Sequence, residues 1–335
     1  MPADTLAPTL HVGLLGCGDI AARRTLPALL RVPEAQLAAV AARDPDRAKS
    51  FGDRFDAPAA ASYEELLTRS DVDAVYLCLP TLLHAHWAER ALRAGKHVLV
   101  EKPLAASGAD AERLFRLADE RGLTLLENFM FLHHGTQRQV AALLESGRLG
   151  EIRTVSAAFT IPPRPAGDLR LDPRLGGGAL LDNGVYPIRA ALRFLGTGLT
   201  VAGASLRDSR EHGVDLSGAA LLTAPSGAVA QIRFGMEHHY RSWYEIQGSR
   251  GTLAVDHVYT TAPGHAPVIR VGVGTEHREI TVPAEDHFEA VWRFFAAAVR
   301  GAEAEHRGLR LLSAESVAQA GLVDAVRSAA VRTRV

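Results

Sequence analysis

A lysine directly behind a short apolar run is well placed to do chemistry. Lys102 stands in Glu101-Lys102-Pro103, after His97-Val98-Leu99-Val100. In an open parallel sheet such a run ends at the edge where ligands bind. The proline restricts the backbone that carries the lysine. Hydride transfer to a carbonyl leaves negative charge on oxygen, which must be polarised and then protonated. Neither CxxC nor HExxH spacing occurs, so no zinc site is expected and side chains must do this work. Lys102 is the first candidate acid. A free lysine titrates near about 10.4. Apolar surroundings or a nearby cation would bring it toward neutrality, whereas the adjacent Glu101 would oppose that. Tyr186 is the second candidate. Asp182 precedes it by four residues, so on a helix the two share a face. Asp182 is expected to orient a substrate hydroxyl or Tyr186 itself. The preceding Gly176-Gly177-Gly178 lets the backbone pass close to a ligand. The plainer alternatives are a salt-bridged surface lysine, a glycine turn with an N-capping aspartate, and a core tyrosine.

A second set of residues suits a dinucleotide. Gly16-Cys17-Gly18-Asp19-Ile20-Ala21 follows the apolar run Val12-Gly13-Leu14-Leu15 and opens a helical pattern. Gly16 allows the tight turn, Gly18 lets the backbone approach a pyrophosphate, and the small Ala21 lets helix pack on strand. The helix N-terminus then offers its N–H groups and the positive end of its dipole. The next strand ends Val40-Ala41-Ala42-Arg43. An acid there would hold a ribose 2′-hydroxyl, whereas arginine suits a 2′-phosphate. The expected cofactor is therefore NADP(H). Arg23 and Arg24, in the first helix, would add positive charge or form a solvated face. Asp44 before Pro45 reads as a helix cap.

These groups need elements to position them. Residues 10–127 alternate apolar runs (10–15, 36–42, 74–79, 97–100 and 124–127) with helical patterns, which predicts βαβ units and a parallel sheet. Ser62 with Glu65 reads as a capping box, and Gly95 and Gly122 as helix ends. Residues 133–146 are expected to form a linking helix closed by Gly147 and Gly150. Beyond 151, runs at 152–159, 199–206, 217–223, 228–236, 242–247, 251–256, 267–272 and 277–282 are short and rich in Val, Ile and Thr. Their hairpin-like spacing predicts a mainly antiparallel sheet. Helices are expected from near Asp182, over 285–300 and over 312–330. The fold class is thus α/β: a dinucleotide-binding Rossmann domain over 1–130, then an α/β domain over 131–335. His133-His134 is expected near the domain junction, and His238-His239 at a strand edge.

Composition narrows the function classes. The 335 residues are 47% hydrophobic, enough for two domains with sizeable cores. The net charge of −1 gives no positive field for nucleic acid or an anionic membrane. No apolar run reaches the roughly 18–20 residues of a membrane span. Residues 1–9 lack the basic start and apolar core of a secretory signal. The two cysteines, Cys17 and Cys78, make no disulfide framework and read as packed thiols, so a reducing cytoplasm is the expected setting.

Taken in order, these motifs resemble the Gfo/Idh/MocA family of oxidoreductases. The resemblance rests on Gly16 to Ala21, Cys78-Leu79-Pro80-Thr81-Leu82-Leu83-His84, Glu101-Lys102-Pro103 and Gly177 to Tyr186. It implies a Rossmann domain, a second domain whose open sheet makes homodimer or homotetramer contacts, and a Lys102 that touches both nicotinamide and substrate. It also implies that Leu79, Pro80, His84 and Glu101 line the cofactor side of the cleft, with Asp182 positioning the sugar or the nicotinamide ribose. Many members carry histidine where Tyr186 stands, and many NADP-dependent members carry serine where Ala42 stands. Tyr186, with Glu127 to His134, Phe159 to Pro163 and Phe234 to His238, is similar to the nucleotide-sugar 3-ketoreductases of deoxysugar biosynthesis. That resemblance implies an NADPH-dependent reduction at C-3 of a dTDP-linked 3,4-diketo-2,6-dideoxyhexose. Arg164, Arg170, Arg174 and Arg241 are candidates for the sugar's pyrophosphate. The rival readings are a dehydrogenase of free polyols, inositols or sugars, and a cofactor-binding sensor without catalysis.

Overall fold

Each apolar run of the first 130 residues becomes a strand. The computed structural model describes residues 9–335, so the reading of residues 1–9 falls, but for Thr9, outside the described residues. Strands β1 (Leu10–Leu15), β2 (Ala35–Ala41), β3 (Ala74–Leu77), β4 (His97–Glu101) and β5 (Leu125–Asn128) form one parallel sheet in the order β2-β1-β3-β4-β5. All four residues of β3 and the middle three of β4 are buried. Helices on both faces of a parallel sheet produce such unbroken apolar strands. The chain order reverses between β1 and β3, the switch point where open sheets of this kind bind ligands.

The helix starts follow the cap signals. The Asp44 carboxylate accepts from the Asp46 N–H, with Pro45 behind it at the first helical position. The Ser62 hydroxyl accepts from the Glu65 N–H. The Glu65 carboxylate reaches back to the N–H of Ala61, one residue earlier than the simple box predicts. Gly95 and Gly122 end their helices at positive φ.

Beyond residue 150 the strands are β6 (Ile152–Thr160), β7 (Thr200–Asp208), β8 (Asp215–Thr223), β9 (Val229–Gly235), β10 (Arg241–Gly248), β11 (Gly251–Asp256), β12 (Val268–Val273), β13 (Glu276–Thr281) and β14 (Ala330–Arg334). Their order is β13-β12-β11-β10-β6-β9-β8-β7-β14. Neighbours are antiparallel except β6 with β9 and β7 with β14. Burial alternates along β9 and β10, so one face packs inward, with helix Val185–Leu195 against β6 and β9.

One expectation for the C-terminus is corrected. The last helix begins at Glu303, not near 312, and runs to Ala329. The charged stretch Glu303-Ala304-Glu305-His306-Arg307-Gly308 hides its periodicity, and a Cβ on Gly308 would sit 3.2 Å from the Phe294 ring. After Ala329 the chain turns extended as β14, whose alternation is too brief and too charged to stand out from the helix. Helix Glu303–Ala329 packs on helix Gly108–Glu120, on β5 and on helix Val185–Leu195, so it ties the two sheets together. No helix among the described residues is long and apolar enough to cross a membrane.

Candidate active site

The glycine turn sits at the switch point. Gly16 has φ +95°, and a Cβ there would lie 2.4 Å from the Cys78 carbonyl oxygen and 2.7 Å from the Leu79 side chain. A Cβ on Gly18 would lie 2.6 Å from the Cys78 sulfur. Only glycine fits this cradle, and the helix over 19–29 starts from it. Ala21 is fully buried against the sheet. Asp19 is exposed and pairs with Arg23 at 2.7 Å. Arg24 turns the other way, donating to the Thr261 carbonyl and lying over Phe288, so it adds no charge to the cradle. Arg43 is exposed at the end of β2. Arg47, on the helix that Asp44 caps, donates from Nε to the Cys17 carbonyl at 2.7 Å. Sequence reasoning passed over Arg47; its position one helical turn after Arg43 is the signal that could have found it. The residues therefore fit a phosphorylated dinucleotide: a close-approach turn, a helix start and two cations at the second strand end. Burial pushes the Cys17 thiol up to about 11 and the Cys78 thiol up to about 12, which fits packed thiols.

Lys102 follows β4 directly. Its Nζ donates to the Asp182 carbonyl at 2.8 Å and to Asp182 Oδ1 at 2.9 Å. Asp182 lies in a widened first turn, Leu180–Gly184, before helix Val185–Leu195, and its side chain caps nothing. Its Oδ2 accepts from Arg170 Nε at 2.7 Å, and Arg170 in turn pairs with Asp168. Burial raises the Asp182 carboxyl, but the charges and hydrogen bonds of Lys102 and Arg170 overcome this and bring it to about 2. Gly176 to Gly178, read from sequence as a close approach to a ligand, approach the protein's own Thr81, Arg170 carbonyl and Asp215.

Tyr186 lies on the same side. Lys102 Nζ is 5.1 Å from its ring centroid, and Phe129, Phe159 and Tyr259 pack edge-on or tilted around the ring. Its hydroxyl contacts Met130 Sδ at 3.7 Å rather than Asp182. The expectation that Asp182 orients Tyr186 is thereby corrected. Burial pushes the phenol well above its ordinary value, so it remains protonated.

The other residues read as lining the cofactor side divide. Leu79 and Pro80 are half-buried beside the cradle. His84 is 1% exposed, with Nδ1 at 2.8 Å from the Pro103 carbonyl oxygen and Nε2 at 2.7 Å from that of Leu79. A neutral ring donates only one of these bonds, yet burial holds the imidazole below its ordinary value. The carboxylate of Glu101 accepts from the Tyr76 hydroxyl and from Asn128, both at 2.7 Å, and burial raises it. The four arginines suggested for the pyrophosphate are each paired with a carboxylate: Arg164 with Asp168, Arg170 with Asp182, Arg174 with Asp172, and Arg241 with Asp256. His134 caps helix Gly135–Glu145 and His133 packs on Phe294.

Known proteins are similar to this chain in sequence and fold. Residues 10–129 match the oxidoreductase family with an NAD-binding Rossmann fold, and residues 137–254 match the GFO/IDH/MocA C-terminal domain. The chain is 51% identical to the dTDP-3,4-didehydro-2,6-dideoxy-alpha-D-glucose 3-reductase of Actinomadura kijaniata, over 97% of this chain and 96% of the relative. It is 49% identical to the enzyme of that description from Streptomyces violaceoruber, over 96% of this chain and 95% of the relative. A crystal structure of a 3-ketoreductase from Actinomadura kijaniata, in complex with NADP and TDP-benzene, superposes with a TM-score of 0.93 at 50% identity, covering 98% of this chain and all of the other. Glycine cradle, strand-end lysine and aspartate–tyrosine helix thus occur together in a chain that belongs to the Gfo/Idh/MocA family of oxidoreductases.

Proposed function

We propose that the protein is an NADPH-dependent 3-ketoreductase that reduces C-3 of a dTDP-linked 3,4-diketo-2,6-dideoxyhexose in deoxysugar biosynthesis. The observation that carries the reading is the match to 3-reductases of this sugar along nearly the whole chain. Lys102, Asp182 and Tyr186 clustered at the strand end support it.

Gly16, Gly18 and the start of helix 19–29 receive the pyrophosphate of the cofactor, and Arg43 with Arg47 its 2′-phosphate. NADPH, when bound, supplies the hydride. The protein's own residues handle the proton. An ammonium has three N–H donors, and Lys102 uses two of them on Asp182. The third is free for the C-3 carbonyl oxygen, which it polarises and then protonates. Asp182, held by Arg170 from the other side, fixes the direction of that donor. The buried Tyr186 ring forms the apolar wall beside it and keeps bulk water away.

In the same reading residues 1–130 hold the cofactor, residues 131–335 hold the sugar nucleotide and build a homodimer or homotetramer, and the enzyme works in the cytoplasm. The test is NADPH consumption with the dTDP-diketo sugar generated in situ, against free inositol and glucose. Turnover of the sugar nucleotide with a two-hydrogen mass gain is the expected result. Oxidation of a free polyol with no turnover of the sugar nucleotide would move the protein to the dehydrogenases.

A further inference from the structure

Glu127 is an acid at the inner end of β5, 4% exposed, where an apolar residue would ordinarily stand. Its Oε1 accepts from the backbone N–H of Leu104 at 2.8 Å, two residues beyond Lys102. Its Oε2 accepts from Arg189 Nη2 at 2.6 Å. Arg189 is fully buried on helix Val185–Leu195, three residues after Tyr186. Arg189 also donates to Ser316 and Gln319 of the last helix, both at 3.0 Å, and its guanidinium lies 4.3 Å from the Phe129 ring centroid. Gln319 completes the cluster with a 3.3 Å contact to Glu127. One buried ion pair therefore joins the loop that carries Lys102 to the helix that carries Tyr186 and follows Asp182.

A buried ion pair adds little stability over well-packed apolar residues, because both charges lose water. What it does supply is a fixed separation, through short charge-assisted bonds. That matters for a lysine that gives up a proton. While Lys102 is an ammonium, its attraction to Asp182 holds loop and helix together. When its proton passes to the substrate oxygen, the attraction falls until water returns a proton to the amine. Arginine does not deprotonate in proteins, so the Glu127–Arg189 pair does not weaken at that moment.

We propose that Glu127 and Arg189 are positioning residues whose buried ion pair keeps Lys102 in register with Asp182 and Tyr186 while Lys102 loses and regains its proton. The inference rests on the ketoreductase reading, in which Lys102 is the acid.

The test uses Glu127→Gln, which keeps an acceptor for Leu104 and removes the charge, in two measurements. The first is the rate of reductive methylation of Lys102, read by mass spectrometry without substrate or cofactor. If the pair holds the loop, Glu127→Gln raises that rate at least about threefold through local opening. The second is a double-mutant cycle with Lys102→Ala. Glu127→Gln alone is expected to lower kcat about 10–100-fold, the scale of a misplaced catalytic group. The KM for NADPH should stay within about twofold. In the Lys102→Ala background it should lower kcat no further. An unchanged methylation rate, or losses that multiply in the double variant, would overturn the proposal. If Glu127→Gln does not fold, Glu127→Gln/Arg189→Met, which removes both charges, replaces it in both measurements. Wild-type turnover of the keto sugar nucleotide tests the parent reading, and the methylation rate is read without it, so the two failures are distinguishable.

Discussion

Lys102 and Tyr186 face each other by ring and ammonium, not by ammonium and hydroxyl. Nζ lies 5.1 Å from the ring centroid, while the phenol oxygen points to the Met130 sulfur. In the proposed mechanism the lysine, not the phenol, is therefore the acid. Lys102→Ala is expected to lower kcat by about 10²–10⁴-fold. Tyr186→Phe keeps the ring and loses only a weak contact to sulfur, so its loss should stay below about tenfold. Steady-state rates at saturating NADPH check the ranking. A Tyr186→Phe loss as large as that of Lys102→Ala would make the phenol the donor.

Arg43 is the exposed cation at the end of β2, with Arg47 one turn along the next helix. If they hold a 2′-phosphate, Arg43→Ala should raise the KM for NADPH about tenfold, equivalent to about 1.4 kcal/mol, and leave NADH nearly unchanged. Equal effects on both cofactors would place Arg43 outside the phosphate site.

How much of this was legible beforehand depends on how local each signal is. The five strands of the first sheet fall within about two residues of their apolar runs, because burial on both faces makes the middle of each strand a nearly unbroken apolar run. Lys102 and Asp182 were legible because each sits in a contiguous motif. The sequence offers Arg170 only as a pyrophosphate candidate, since its bond to Asp182 crosses an irregular loop that has no periodicity to read. The same holds for His84, whose spacing places it on the first helical turn after β3 but says nothing of the two carbonyls it meets. Glu127 and Arg189 are 62 residues apart, and nothing in either neighbourhood announces the other. Long-range pairs between buried charges depend on tertiary packing, which a single sequence does not encode locally.

The cradle predicts a sharp intolerance. Gly16→Ala would put a methyl group against a backbone oxygen 2.4 Å away, in a backbone conformation that L-residues avoid. The expected cost is about 1–3 kcal/mol of stability, with loss of NADPH binding. Thermal unfolding with and without NADPH checks both. A variant that melts like wild type and still gains stability from NADPH would contradict the close approach.

The last prediction concerns acid. His287 is 1% exposed at the start of helix His287–Val299, and neither ring nitrogen has a hydrogen-bond partner among the described residues. Burial pushes its imidazole down to about 3, with His134, Arg24 and His133 adding repulsion. In the unfolded chain it titrates near about 6.5. The folded value is the lower one, so the unfolded state binds the proton first as pH falls. The stability associated with the neutral ring is fully present above about pH 6.5 and declines through the interval down to about pH 3. At pH 5 the unfolded chain is favoured by about 2 kcal/mol from this residue alone. His287→Leu removes the titration at similar volume. Urea unfolding at pH 7 and pH 5 should show wild type losing about 2 kcal/mol more than the variant between the two conditions. Equal losses would mean that other groups set the acid limit of this fold.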